Sequence, residues 1–119
     1  MEARQMIEVS TRKAEGFQVM TEYGEWKVGL LGYSERFSRL AELERHLLTD
    51  EVFVLLSGKA TLYTDKEAME MARGCVYTVP VGVWHHIVVS NDANVLVVEN
   101  RNTSRENTEK KYIDEKENK

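Results

Sequence analysis

The 119-residue chain has a formal net charge of −4 and 42% hydrophobic residues, a balance typical of an acidic globular protein with one domain. It has no run of about 18 apolar residues, which excludes a predicted transmembrane helix, and its polar N-terminus lacks the apolar core of a signal peptide. No basic patch favours nucleic acid as a partner, and the single cysteine excludes an internal disulfide framework. We therefore expect a cytoplasmic protein without membrane or nucleic-acid partners.

The first third of the chain predicts short strands joined by turns. Residues 6–9 carry a weak strand signal, and residues 16–21 alternate in polarity as a half-buried strand does. After a turn, Trp26, Val28 and Leu30 fall on one face of the next strand. This pattern is typical of an antiparallel sheet.

Residues 44–58 combine polar groups with a dense apolar run. Branched or aromatic side chains occupy both alternating faces of residues 51–56, which predicts a strand covered on both sides. Glu51 is therefore expected among buried side chains, where an unpaired carboxylate costs on the order of several kcal/mol. It needs a cation, a hydrogen-bond donor or a metal. Glu44 and His46 are two residues apart, so they point to the same side of an extended strand.

A second stretch, residues 74–85, places a turn, a rigid proline and a glycine before His85, which begins another apolar run. Cys75 lies in an apolar part of this stretch and is expected to be buried. Further strands are predicted at residues 60–64, 67–72, 76–79, 85–89 and 95–99. Many short strands without a clear amphipathic helix predict an all-β antiparallel sandwich or barrel.

Together the two stretches resemble the two sequence motifs of the cupin superfamily. The first family motif reads G-x5-H-x-H-x3-4-E-x6-G, and its latter part is matched by His46, Glu51 and Gly58. The second reads G-x5-P-x-G-x2-H-x3-N, and its first four fixed positions are matched by Gly74, Pro80, Gly82 and His85. The resemblance covers about half of the chain. It implies an antiparallel cupin barrel, also called a double-stranded β-helix or jelly roll.

The chain departs from the family motifs at three positions. Ser38 replaces the leading glycine, Glu44 the first histidine, and Val89 the closing asparagine. The resemblance also bears on residues 38–48, where leucine spacing and residue propensities favour a helix. A cupin ligand strand lies at this place, so we predict a strand there.

The resemblance implies metal ligands at His46, Glu51 and His85, with the fourth position filled by Glu44. Two imidazoles and two carboxylates suit a divalent transition metal such as Mn, Fe, Co, Ni or Zn. Glu44 is alternatively a catalytic general base beside the metal, because a carboxylate near an apolar pocket can have a raised pKa. The alternative for the whole site is a pocket without metal, in which Glu51 is hydrogen-bonded and the histidines are ordinary polar neighbours.

The pocket around these ligands is expected to be partly apolar. Its predicted lining residues are Phe53, Leu55, Trp84, Ile87 and Val89. His86 follows His85 and points to the opposite face of the strand, which indicates a structural role.

The resemblance implies two classes of function. The first is a metal-dependent enzyme, isomerase-like or dioxygenase-like, acting on a small oxygen-rich substrate such as a sugar derivative or a hydroxy acid. The second is a small-ligand-binding module without turnover. Fold alone does not separate them, because one barrel hosts many chemistries.

The predicted domain is a single barrel over residues 1–100. Residues 101–119 form a polar tail that we expect to be partly disordered, or packed on the barrel or on a partner subunit through Tyr112 and Ile113. A two-fold homodimer is the expected assembly.

Overall fold

A computed structural model describes residues 6–113, and within them every regular element except two short 3-10 helices is a β-strand. The strands are β1 (Phe17–Tyr23), β2 (Trp26–Gly32), β3 (Glu42–His46), β4 (Glu51–Ser57), β5 (Ala60–Thr64), β6 (Ala68–Glu70), β7 (Tyr77–Val79), β8 (His85–Val89), β9 (Asn94–Asn100) and β10 (Thr108–Tyr112). The 3-10 helices are Glu35–Phe37 and Arg105–Asn107.

The strands form two five-stranded sheets whose neighbouring strands are antiparallel. One sheet has the order β1-β2-β9-β4-β7, and the other has the order β10-β3-β8-β5-β6. The apolar core lies between the sheets, with Val95 and Val97 almost completely buried. This arrangement confirms the predicted all-β antiparallel barrel.

Strand β4 is fully buried on one face only, although apolar side chains on both faces predicted that both would be covered. Glu51, Phe53 and Leu55 are buried on its inner face, while Val52 and Val54 are only partly buried on the other. The strand pairs with β9 on one side and with β7 on the other, so it lies inside its sheet.

Three local predictions are corrected or resolved by the structure. Residues 6–9 form no strand and pair with neither sheet. Residues 42–46 form a strand, as the motif predicts, although local propensity favours a helix; pairing with β8 and β10 outweighs that preference. Cys75 is exposed rather than buried, because it lies in the loop before β7.

The segment predicted to be a polar tail contributes a strand to the barrel. Strand β10 pairs with β3 along its whole length, with Thr108 opposite His46 and Lys110 opposite Glu44. Tyr112 is 80% exposed. The predicted homodimer stays a prediction. The predicted disorder at the end of the chain falls on residues 114–119, outside the described residues.

Among residues 6–113, no helix has both the length and the apolar character that a membrane crossing requires.

Candidate functional site

Strands from both sheets direct polar side chains into one cavity of about 680 Å³. Strands β3 and β8 supply them from one sheet, and β4 and β9 supply them from the other. The imidazole and carboxyl groups that line this cavity belong to Glu44, His46, Glu51, His85, His86 and Glu99.

The centre of the site is one oxygen atom of Glu51. Its Oε1 lies 3.1 Å from Nε2 of His46 and 2.8 Å from Nε2 of His85. All three residues are buried, although they come from three different strands. The structure therefore brings together the three residues that the motifs predict as ligands.

The second ring nitrogen of each histidine, Nδ1, faces away from Glu51 and has a hydrogen-bond partner of its own. Nδ1 of His85 lies 2.9 Å from the carbonyl oxygen of Val83, which can only accept, so Nδ1 carries a hydrogen. Nδ1 of His46 lies 3.0 Å from Oγ1 of Thr108, which can accept a hydrogen in the same way. In the neutral rings both Nε2 atoms then present lone pairs to the centre.

This donor set fits a divalent transition metal. Metal-bound histidines usually donate their second ring N–H to a carbonyl, carboxylate or hydroxyl group, which fixes the ring and its tautomer. Two overlapping sets of side chains bring their ligand atoms within 4.8 Å of one another: Glu44, His46 and His85 form one set, and His46, Glu51 and Glu99 form the other. The residues present could therefore hold a metal, whose identity they leave open among those that accept nitrogen and oxygen donors.

Without a metal, the same groups share protons. Burial alone raises the pKa of Glu51, but hydrogen bonds from His46 and His85 and their charges outweigh it and lower that pKa to about 2. Burial lowers the pKa of His46, yet the hydrogen bond and charge of Glu51 outweigh it, so the pKa of His46 is raised. In the metal-free centre the ionised carboxylate of Glu51 therefore accepts hydrogen bonds from Nε2–H groups, and the Nε2 lone pairs become available to a metal only when those protons leave.

Glu99 is a member of the site that sequence reasoning missed. It lies directly opposite Glu51 in the β4–β9 pair and is equally buried. Burial, and then the charge of Glu51, raise the pKa of Glu99 to about 8. Nζ of Lys27 on β2 lies 3.7 Å from its Oε1. The signal was present in the sequence, because Val95, Val97 and Glu99 alternate onto one face of a predicted strand.

Glu44 lies at the edge of the site and is tied to Arg36. Its Oε2 accepts a hydrogen bond of 2.7 Å from Nη2 of Arg36, whose Nε also donates to Glu42. The other oxygen of Glu44, Oε1, is 3.9 Å from Nε2 of His46.

Burial lowers the pKa of His86, and Nε2 of that neutral ring donates to the carbonyl oxygen of Arg36. His86 thus contacts the segment that carries Arg36, but it also lines the cavity with His85, so the predicted opposite placement of the two rings is wrong and the structural role stays a prediction.

The predicted apolar lining is correct in part. Phe53 and Ile87 line the cavity. Leu55 and Val89 belong instead to the packed core, farther along the same strands. Trp84 lies outside the cavity, where its ring contacts the charged ends of Arg45 and Lys111. It precedes His85 in the chain, and alternation turns the two side chains to opposite faces.

Comparison with known proteins agrees with this architecture. A sequence model of the cupin domain family matches residues 39–99, which contain every candidate ligand. An uncharacterized protein of Streptomyces coelicolor is 46% identical over 52 residues, which are 41% of this chain and 48% of that protein. The matching segment therefore spans about half the length of that relative.

Solved structures share the fold at low sequence identity. Pac13, described as a nucleoside dehydratase, is 16% identical with a TM-score of 0.67, and the match covers 98% of both chains. A single-residue variant of Streptomyces Pac13 was solved with uridine. A cupin-2 domain protein of Shewanella frigidimarina is 20% identical with a TM-score of 0.60, over 76% of this chain and 85% of the other. KdgF of a Halomonas species has a TM-score of 0.58 at 14% identity, over 71% of this chain and 76% of its own.

Proposed function

This chain belongs to the cupin family, and from that premise we propose that it is a metal-dependent enzyme that moves protons on a small oxygen-rich substrate, such as a sugar derivative or a hydroxy acid. The observation that carries the proposal is the convergence of the Nε2 atoms of His46 and His85 on one oxygen of Glu51 inside the cavity. Isomerases and dehydratases both act by proton transfer, and we favour these two enzyme classes over dioxygenases.

The ion would be held by His46, Glu51 and His85, with a further donor from one of the two flanking carboxylates. A bound divalent ion supplies Lewis acidity, which polarises an oxygen atom of the substrate. The protein's own contribution is to fix the ligands in place. Val83 and Thr108 hold the outer ring nitrogens, so neither imidazole has to reorient when the site is filled.

Glu44 is the best-placed general base. Arg36 holds one of its oxygens, and this leaves Oε1 facing the cavity near His46. A carboxylate held in this way can accept a proton from a substrate carbon or hydroxyl group and return it elsewhere. Such an exchange produces isomerisation when the proton returns to the substrate, and loss of water when it goes to a leaving hydroxyl group.

The remaining walls match a substrate with one polar and one apolar side. The apolar part of the wall consists of Phe17, Leu31, Phe53 and Ile87. The positively charged side chains of the lining are those of Lys27, Arg36, Arg105 and Lys110. Lys27, Arg36 and Lys110 already pair with carboxylates, so Arg105 is the side chain that we expect to meet a carboxylate or phosphate on a substrate. The description of Pac13 as a nucleoside dehydratase supports acid–base chemistry as one use of this barrel.

Metal analysis with two variants tests the proposal. Protein prepared without chelators is expected to carry close to one divalent transition metal ion per chain. His46→Ala and His85→Ala should each lose it, because removal of a ligand greatly weakens a metal site. Glu109→Gln is the matched control, since Glu109 is an exposed carboxylate on β10 that pairs with Arg45.

Substrate screening completes the test. The metal-loaded protein is expected to turn over a member of a set of hydroxy acids and sugar derivatives, and neither histidine variant should do so. A protein that binds one of these compounds without converting it would be a binding module. A parent protein without metal, whose affinity for added metal is unchanged in both histidine variants, would contradict the ligand assignment.

A further inference from the structure

We infer that Glu99, rather than Glu44, supplies the fourth protein ligand to the ion held by His46, Glu51 and His85. This inference rests on the proposed metal site and assigns a ligand outside the two motifs. It moves the fourth donor from the sheet that carries β3 to the sheet that carries β9.

The first argument is the state of Glu99 itself. Its side chain is only 6% exposed, and no N–H or O–H group among residues 6–113 donates to its Oε2, so Glu99 can hydrogen-bond Glu51 only while it keeps its own proton. A buried carboxylate oxygen without a partner is costly, because it has lost water and gained nothing in return. Lys27 lies near the other oxygen, Oε1, at 3.7 Å, so Oε2 remains available. A cation in the cavity is the partner that this atom lacks.

The second argument is position. Glu99 and Glu51 are opposite each other in register, and both line the cavity. Ligand atoms of Glu99, Glu51 and His46 lie within 4.8 Å of one another. Ligand atoms this close together could hold one divalent ion between them. Because both carboxylates are on neighbouring strands of one sheet, the backbone already holds them side by side.

The third argument concerns Glu44. Its Oε2 accepts the 2.7 Å hydrogen bond from Arg36, so its charge already has a partner. Its side chain is also more exposed than that of Glu99, at 17% against 6%. To bind an ion with both oxygens it would have to give up Arg36. Glu99 has no hydrogen bond to an arginine; its partners are Lys27, at 3.7 Å from Oε1, and Glu51, which would bind the same ion.

Cobalt(II) binding tests the assignment, because the visible absorption of cobalt reports its ligands independently of turnover. Glu99→Gln, Glu44→Gln and the control Glu109→Gln are titrated with Co²⁺ against a competing chelator, all at the same pH of about 8 so that proton competition is matched. Glu99→Gln is expected to weaken binding roughly tenfold or more and to change the absorption spectrum. Glu44→Gln and Glu109→Gln should keep the parent spectrum, with affinities within about threefold of the parent.

Each other outcome has a definite meaning. If Glu99→Gln binds Co²⁺ as tightly as the parent with the same spectrum, the inference is wrong. If it binds more weakly with an unchanged spectrum, Glu99 acts through another residue, and the ligand assignment is also wrong. Loss of Co²⁺ in His46→Ala together with full retention in Glu99→Gln overturns this inference and leaves the proposed function standing. A parent that binds no Co²⁺ overturns both.

The variants must be folded for this comparison. Glu99→Gln is isosteric and removes a buried ionisable group, and its thermal unfolding is measured beside that of the parent. Glu99→Asp is the second variant. It keeps a carboxylate but is shorter by one methylene, so weaker Co²⁺ binding with a shifted absorption maximum is expected from a ligand, and parent-like binding from a bystander.

Discussion

Glu51 and Glu99 lie directly opposite each other on β4 and β9, with both carboxyl groups buried in the same cavity. Two adjacent carboxylates repel each other unless a proton or a cation lies between them. In the metal-free protein the two carboxyl groups ionise at very different pH values. The pKa of Glu51 is lowered to about 2, and the pKa of Glu99 is raised to about 8. Near neutral pH Glu99 is therefore protonated and uncharged, and a bound metal would take the place of that proton.

This relationship predicts how the stability of the metal-free protein depends on pH. The unfolded chain ionises Glu99 near its ordinary value of 4.5, whereas the folded protein keeps the proton up to about 8, so stability falls as pH rises between those values. The raised pKa of His46 acts in the same direction above 6.5. The lowered pKa of Glu51 acts oppositely, and its contribution is lost as pH falls from 4.5 towards 2.

We therefore expect a melting temperature that is highest in weakly acidic buffer and lower at about pH 9 by roughly 5 °C or more. Thermal unfolding of chelator-treated protein across this range measures the effect. Glu99→Gln should flatten the decline above pH 5, because the ionisable group is gone, and Glu109→Gln should follow the parent. A parent whose stability increases from pH 6 to pH 9 would contradict the assignment of a protonated Glu99.

Thr108 on β10 should matter for metal affinity although it is not expected to touch the ion. Its Oγ1 lies 3.0 Å from Nδ1 of His46 and accepts the hydrogen that fixes this ring. Thr108→Val removes the hydrogen-bond acceptor with little change of shape. Loss of the group that hydrogen-bonds a metal-bound histidine typically weakens metal binding by roughly 10- to 100-fold. Thr61→Val on β5 is the control, since Thr61 does not line the cavity.

The measurement is competition for metal between each variant and a chelator of known affinity. Equal affinities for the parent, Thr108→Val and Thr61→Val would show that His46 holds its orientation without Thr108. A weaker Thr108→Val alone would give the C-terminal strand a part in the site.

Much of the barrel and the central triad could be predicted from the sequence. Resemblance to the two cupin motifs, and not the spacing by itself, predicted that His46, Glu51 and His85 meet. The apolar side chains on both faces of residues 51–56 predicted that Glu51 is buried, as it is. Each motif is short, so a single sequence reveals it, whereas the meeting of the two motifs depends on the fold.

What could not be predicted depends on which strands become neighbours. Glu99 is a site residue because β9 pairs with β4 in one register, and a shift of one residue would turn it to the outer face. Strand β10 has a polar sequence, and its order comes from backbone pairing with β3 and not from burial. Composition therefore predicted a tail at a place where the fold makes an edge strand.

The two motif glycines before and after the β5–β6 hairpin should differ in their tolerance of substitution. Gly58 and Gly74 both have positive φ, at 75° and 81°. A Cβ at Gly58 would lie 2.5 Å from Cα of Ala93, whereas a Cβ at Gly74 meets no atom within 4 Å. Gly74→Ala should cost about 1 kcal/mol of unfolding free energy through its backbone conformation alone. Gly58→Ala should cost about 1–3 kcal/mol more because of the clash.

Urea unfolding of both variants tests this order, and the difference between them is more informative than either value. Equal losses would mean that the loop around Ala93 moves aside without cost.

The role of Glu44 can be tested with a single variant. The family motif predicts that Glu44 is a metal ligand, whereas its contacts favour a general base. Glu44→Gln keeps the shape but removes the ability to accept a proton at neutral pH. We expect metal affinity within about threefold of the parent and turnover lower by roughly 10²–10⁴-fold on a substrate found by screening. Glu42→Gln is the matched control, since Glu42 also accepts a hydrogen bond from Arg36 but does not line the cavity.

Arg36→Gln extends the same test. Without the 2.7 Å hydrogen bond from Arg36, the Glu44 carboxylate loses the contact that orients it. Turnover should therefore fall in Arg36→Gln, whereas metal affinity should stay near that of the parent. If Glu44→Gln instead loses the metal, Glu44 is the fourth ligand, as the family motif implies. If Glu44→Gln changes neither metal binding nor turnover, Glu44 serves only as the ion-pair partner of Arg36.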